Sequence, residues 1–275
     1  MNESLAQSVA LISYGNEYLN NGNVEDNFYP CNSTFKHYNS VQYVDFNNAI
    51  FRSQITEVMV AQSPIGWFKL LKKGGCKKLA LNYHLSKDQS FTPDYKLMGF
   101  GTGGGPWLIE AIYDEYSNYW VNKSEVTKRD DPAKKFWSIK YGVIAKNKPI
   151  IDMHYDLIET RNNLDAVLLE IKALASRHSL DYWADVFQKA QDTLKSPNPN
   201  REYYHKDLII AKNYSLAAQQ LLFAAGLAFV FGGMGSWNDL AFEMEDENEM
   251  YRSLSSKLYN EINKSIIAAV NKIAD

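Results

Sequence analysis

Eight of the fifteen glycines in this 275-residue chain crowd into two short stretches, each flanked by groups able to do chemistry. The first reads Gly99-Phe100-Gly101-Thr102-Gly103-Gly104-Gly105-Pro106, with Trp107, Glu110 and Asp114 beyond it. Gly99, Gly101 and Gly104 match GxGxxG, a spacing that lets backbone N–H groups cradle a pyrophosphate at a helix N-terminus. Pro106 removes one such donor, no P-loop lysine follows, and the next residues read as a strand. The stretch is therefore expected to connect strands. Its bare backbone at Gly103, Gly104 and Gly105 is expected to dock a partner's carboxylate or main chain. Glu110 and Asp114 would share one strand face roughly 13 Å apart. Glycosidase carboxyls stand at about 5–9.5 Å, so these two alone make a poor acid/base pair. Trp107, Glu110 and Asp114 are candidate binding residues beside the glycines, with a solvated polar strand face as the simpler reading.

The second stretch is Gly232-Gly233-Met234-Gly235-Ser236-Trp237-Asn238-Asp239. Ser236 lacks the GxSxG context of a nucleophile elbow and follows a helix where the elbow needs a strand. A glycine helix stop, with Asn238 or Asp239 capping a short turn, is the structural reading. As a recognition loop, it would bind through Met234, Ser236, Trp237, Asn238 and Asp239, with Met234 and Trp237 as its hydrophobic anchors.

Five histidines form no local motif: there is no HExxH, and no two lie four residues apart. His205, in a loop after Pro199, is the one placed to cover a cleft. Cys31 and Cys76 fit no zinc spacing and read as two free thiols. No metal or cofactor is expected. Lys69, Lys72, Lys73, Lys77 and Lys78 form the densest basic cluster, without an arginine to grip phosphate or interleaved aromatics to stack bases. It reads as a solvated face whose first members sit at a helix C-terminus.

These groups must be held by elements that the apolar spacing outlines. Leu5, Val9, Ile12 and Leu19 recur at helical spacing and stop at Asn20-Asn21-Gly22. Ser63-Pro64 starts a helix that ends at Gly74-Gly75. Strands are expected at 40–46, 77–85, 95–100, 107–113, 119–126 and 136–145; Val, Ile, Tyr and Trp enrichment favours strand over helix across 107–120. After Pro149 helical stripes take over. Leu164 to Leu174 make one, Leu180 to Leu194 a second capped by Ser179, and residues 215–231 a third. A fourth runs from an Asp246/Glu249 capping box through Leu258 to Ile273.

The fold class read from this pattern is α+β. Residues 1–150 make an N-terminal antiparallel sheet with flanking helices, and residues 151–275 a C-terminal helical bundle. Net charge is −3, divided as +3 over residues 1–150 and −6 over 151–275. That balance argues against a nucleic-acid partner. The longest apolar run, Leu221 to Phe231, is too short to span a bilayer, and the N-terminus lacks a signal-peptide core. A soluble cytoplasmic protein is expected, without nucleic-acid or membrane association. Its expected role is to bind a protein partner, as a stoichiometric inhibitor or immunity-type protein would. The alternative is a metal-independent hydrolase, which needs Glu110 or Asp114, His205 and Ser236 to converge.

Overall fold

The computed structural model describes residues 1–25, 27–47, 56–83, 107–127 and 130–272. The expected strand at 95–100 and the glycines Gly103, Gly104 and Gly105 lie outside the described residues. Helix α1 spans Glu3–Asn21 and α2 Pro64–Lys73, where the Ser63 hydroxyl accepts from Gly66 N–H as the Ser-Pro start predicts. Strands β1 (Tyr38–Asn47), β2 (Thr56–Ala61), β3 (Lys78–Tyr83), β4 (Trp107–Ile112), β5 (Ser117–Val126) and β6 (Trp137–Lys148) form one sheet in the order β2-β1-β6-β5-β4-β3. The chain then enters α3 (Leu157–Arg177), α4 (Asp181–Thr193), α5 (Leu216–Leu227) and α6 (Glu245–Asn271).

The class is α+β, with strands in the first half and helices in the second. The sheet is mixed: β1 runs parallel to β6, and the remaining pairings are antiparallel. Parallel neighbours need a long connection, and β1 and β6 are separated by most of the sheet-forming half. Strand β2 has no counterpart among the strands expected from sequence. Glu57, Val58 and Met59 on this edge strand are all exposed, so it has no apolar alternation to detect.

Two helix starts differ from expectation. Ser179 adopts φ +54 and makes no cap; Leu180 precedes α4 without a side-chain bond. Met244 takes the N-cap position of α6, so Asp246 lies inside the first turn and the expected box does not form. Asn248 does the tying instead, pairing with both N–H and C=O of Phe242 at 2.9 and 2.6 Å. The apolar 215–231 run leaves the helix after Leu227, and Phe229 and Phe231 fold over to meet the Tyr259 ring.

Buried apolar residues form one cluster from Leu5 to Val270. Helix α1 lies close against β3 because Gly15 has no side chain: a Cβ there would stand 2.5 Å from Leu79 Cδ1 and 2.9 Å from Phe68 Cε1. This approach lets Asn16 pair with both backbone groups of Leu79 on the open side of β3, at 2.7 and 2.9 Å. Asn271 of α6 does the same for Leu81, at 2.7 and 2.9 Å. Two amides thus substitute for a neighbouring strand along a buried edge. Cys31 is exposed and Cys76 buried, and both are free thiols. Among the described residues no helix is long and apolar enough to cross a membrane.

Candidate functional site

Glu110, expected on a solvated face, is fully buried. Ionised carboxylates are rarely buried without partners, and this one has four. Asn82 Nδ2 donates to it at 2.6 Å, the Tyr119 hydroxyl at 2.8 Å, and the backbone N–H groups of Ile151 and Asp152 at 2.9 and 3.1 Å. Burial and the adjacent carboxylate raise the Tyr119 phenol above its ordinary pKa. Asp114 is far more open, on the β4–β5 turn 3.4 Å from Lys77 Nζ. Trp107 is packed inside, its ring centroid 4.7 Å from that of Tyr83. Of Trp107, Glu110 and Asp114, only Asp114 is at the surface, and Glu110 sits in a hydrogen-bonded cage.

The lysine cluster is largely engaged. Lys72 Nζ donates to Leu19 C=O at the end of α1, Lys77 faces Asp114, and Lys78 pairs with Asp152 at 3.1 Å. His205 is buried too, its Nδ1 2.8 Å from the Ser33 hydroxyl, which also donates to the Asp207 carboxylate. Asp207 accepts the Ser33 N–H at 2.8 Å, capping the short turn Ser33–Phe35. Desolvation brings the His205 imidazole down to about 4, against an opposing pull from Asp207. No hydrogen bond among the described residues joins any two of Glu110, Asp114, His205 and Ser236.

The second glycine stretch forms the α5–α6 loop at one end of the bundle. Trp237, expected as an outward anchor, is fully buried instead. Its indole N–H donates to the Ser255 hydroxyl at 2.8 Å, and its ring lies 5.1 Å from Phe187, 5.7 Å from Trp183 and 5.6 Å from Tyr251. The tryptophan therefore secures the loop to the bundle. The loop's own polar side chains close it further. Asn238 pairs with the N–H and C=O of Gly232 at 3.1 and 3.2 Å and accepts from the Ser236 hydroxyl, while the Asp239 carboxylate accepts from Gly235 N–H. Gly235 has φ +85, a left-handed conformation that suits glycine.

These bonds leave Met234 at the tip as the most exposed large apolar residue among the described ones, at 102%. Tyr182, Met244 and Met250 are exposed on the surrounding helix ends. From Asp239 to Glu249 the chain carries six acidic residues and no Lys or Arg. Arg177 and Arg252 are the cations close by; Arg252 pairs with Glu245 at 2.6 Å, and Arg177 reaches the Met250 sulfur at 3.9 Å. Three of the acids fall in the first turn of α6, where the helix dipole favours negative charge. The sequence signal for this combination is the stretch between Met234 and Met250, whose six charged residues are all acidic.

Comparison with known proteins adds no relative. No protein-family model matches this chain, and neither the curated proteins nor the solved structures contain a significant match.

Proposed function

We propose that this chain is an intracellular binding protein, and that its partner is a basic protein docking on the methionine-tipped, acidic end of the helical bundle. The observation that carries this reading is the α5–α6 loop, in which side-chain bonds to Gly232 and Gly235 fix the backbone while Met234 stands free. A pre-shaped loop loses little entropy on docking. Methionine adapts to an irregular partner surface, and exposed tyrosine is a common contact residue. The acidic surround supplies attraction and orientation for a cationic partner. A stoichiometric inhibitor or immunity-type protein has this kind of cofactor-free surface. The free, exposed Cys31 suits a reducing compartment. Hydrolysis is less well supported, because the groups it would require are bonded at separate places.

The test is capture of partners from the native cell by the wild-type chain and by Met234→Asp. Met234 is wholly exposed, so the substitution should leave stability within about 0.5 kcal/mol. A partner recovered by wild type, lost with Met234→Asp and released by raised salt is the expected result. Equal recovery by both proteins would remove the loop from the interface.

A further inference from the structure

Helix α6 presents two stripes. Leu258, Ile262, Ile266 and Ala269 are buried in the core. Asn260, Asn263, Lys264 and Ile267, at i, i+3, i+4 and i+7, line a cleft of about 310 Å³. Its other walls are Tyr83, at the end of β3, and Met153 and Tyr155 from the segment joining the sheet to the bundle. That segment is fixed on both sides. Glu110 holds the N–H groups of Ile151 and Asp152, and Asn271 Nδ2 donates to Met153 C=O at 2.5 Å. The carboxylate cage thus positions a wall of the cleft.

Asn263 is only 4% exposed, yet among the described residues neither its amide oxygen nor its amide nitrogen has a hydrogen-bond partner. Folded proteins leave few buried polar groups unpaired, and such groups often mark a site that something else completes. Lys264 is already bonded to Glu261 at 2.7 Å, so the cleft carries little free positive charge.

We propose that this cleft binds a planar nitrogen heterocycle of the nucleobase class, presenting an adjacent C=O and N–H on one edge. The Asn263 amide offers a donor and an acceptor side by side, the complement of that edge and the geometry asparagine uses when it reads a base. The rings of Tyr83 and Tyr155, with Met153 and Ile267, give flat apolar surface for the body of the ring. The volume lies at the small end of small-molecule sites, about 300–1,000 Å³, which suits a base or nucleoside. The absence of arginine from the lining disfavours a phosphate.

The experiment is calorimetric titration of the full chain with uracil, thymine, cytosine and hypoxanthine, with uridine monophosphate as the phosphate-bearing control. At least one free base is expected to bind with a submillimolar Kd, no more weakly than the nucleotide. Asn263→Leu keeps the branched shape and heavy-atom count and should weaken that binding at least tenfold while raising Tm. Backbone amide shifts of the wild-type chain should move around residues 260–267, a readout independent of whether the variant folds. Silence of all four bases at millimolar concentration, equal binding by Asn263→Leu, or shifts confined to other residues would overturn the proposal.

Discussion

Glu110 is wholly inside the protein, and each of its carboxylate oxygens accepts two hydrogen bonds. A carboxylate satisfied in this way is committed to structure, because most of the donors around it would be stranded by its removal. Glu110→Leu deprives Asn82 and two main-chain N–H groups of their acceptor at once, while the Tyr119 hydroxyl keeps Pro149 C=O at 2.8 Å. It should cost about 3–5 kcal/mol, read as a lower urea midpoint, while Glu110→Gln, which keeps one acceptor oxygen, should cost less. A Glu110→Leu protein as stable as wild type would show that the cage holds nothing together. The same reasoning separates Trp237 from Met234. Three positions apart on one loop, the first has its indole N–H bonded to Ser255 inside the bundle and the second is in water.

The sheet has two edges, treated differently. Strand β2 presents its outer side with Glu57, Val58 and Met59 exposed, whereas β3 is clasped by Asn16 and Asn271 from two helices at opposite ends of the chain. Each amide satisfies one backbone donor and one acceptor that would otherwise be buried and unpaired. Replacing Asn271 with Leu removes such a pair and also frees Met153 C=O. The cost should be about 3 kcal/mol. Hydrogen exchange at the Leu81 amide should accelerate far more than at Leu79, which Asn16 still covers. Uniform acceleration along β3 would mean that the two clasps act as one, against this account.

For the whole molecule, acid is the expected weakness. His205 is 3% exposed and its imidazole falls to about 4, from an ordinary value of 6.5. Between those values the unfolded chain holds a proton that the folded chain does not, so stability drops as pH falls through this window. The contribution is about 3 kcal/mol in full. Glu3, pushed up mainly by burial, opposes it. Urea unfolding at pH 7 and pH 5 should show a clear loss for wild type and a smaller one for His205→Gln. Equal losses would take His205 out of the acid response.

Much of the architecture is legible in the sequence because periodicity reports burial locally. The helical stripe of α1, the Ser63-Pro64 start, the strand character of 107–120 and the helices after Pro149 follow from spacing and turn chemistry within a few residues. Side-chain roles were less legible, since they depend on what arrives from far along the chain. Glu110 reads as solvated until residues 149–152 fold over it, and Trp237 reads as an anchor until α4 and α6 close around its ring. The parallel β1–β6 pairing, the asparagine clasps on β3 and the unpaired amide of Asn263 likewise exist only between segments tens to hundreds of residues apart. Local sequence determined which elements form; long-range packing decided which polar groups it consumes and which it leaves free for a ligand.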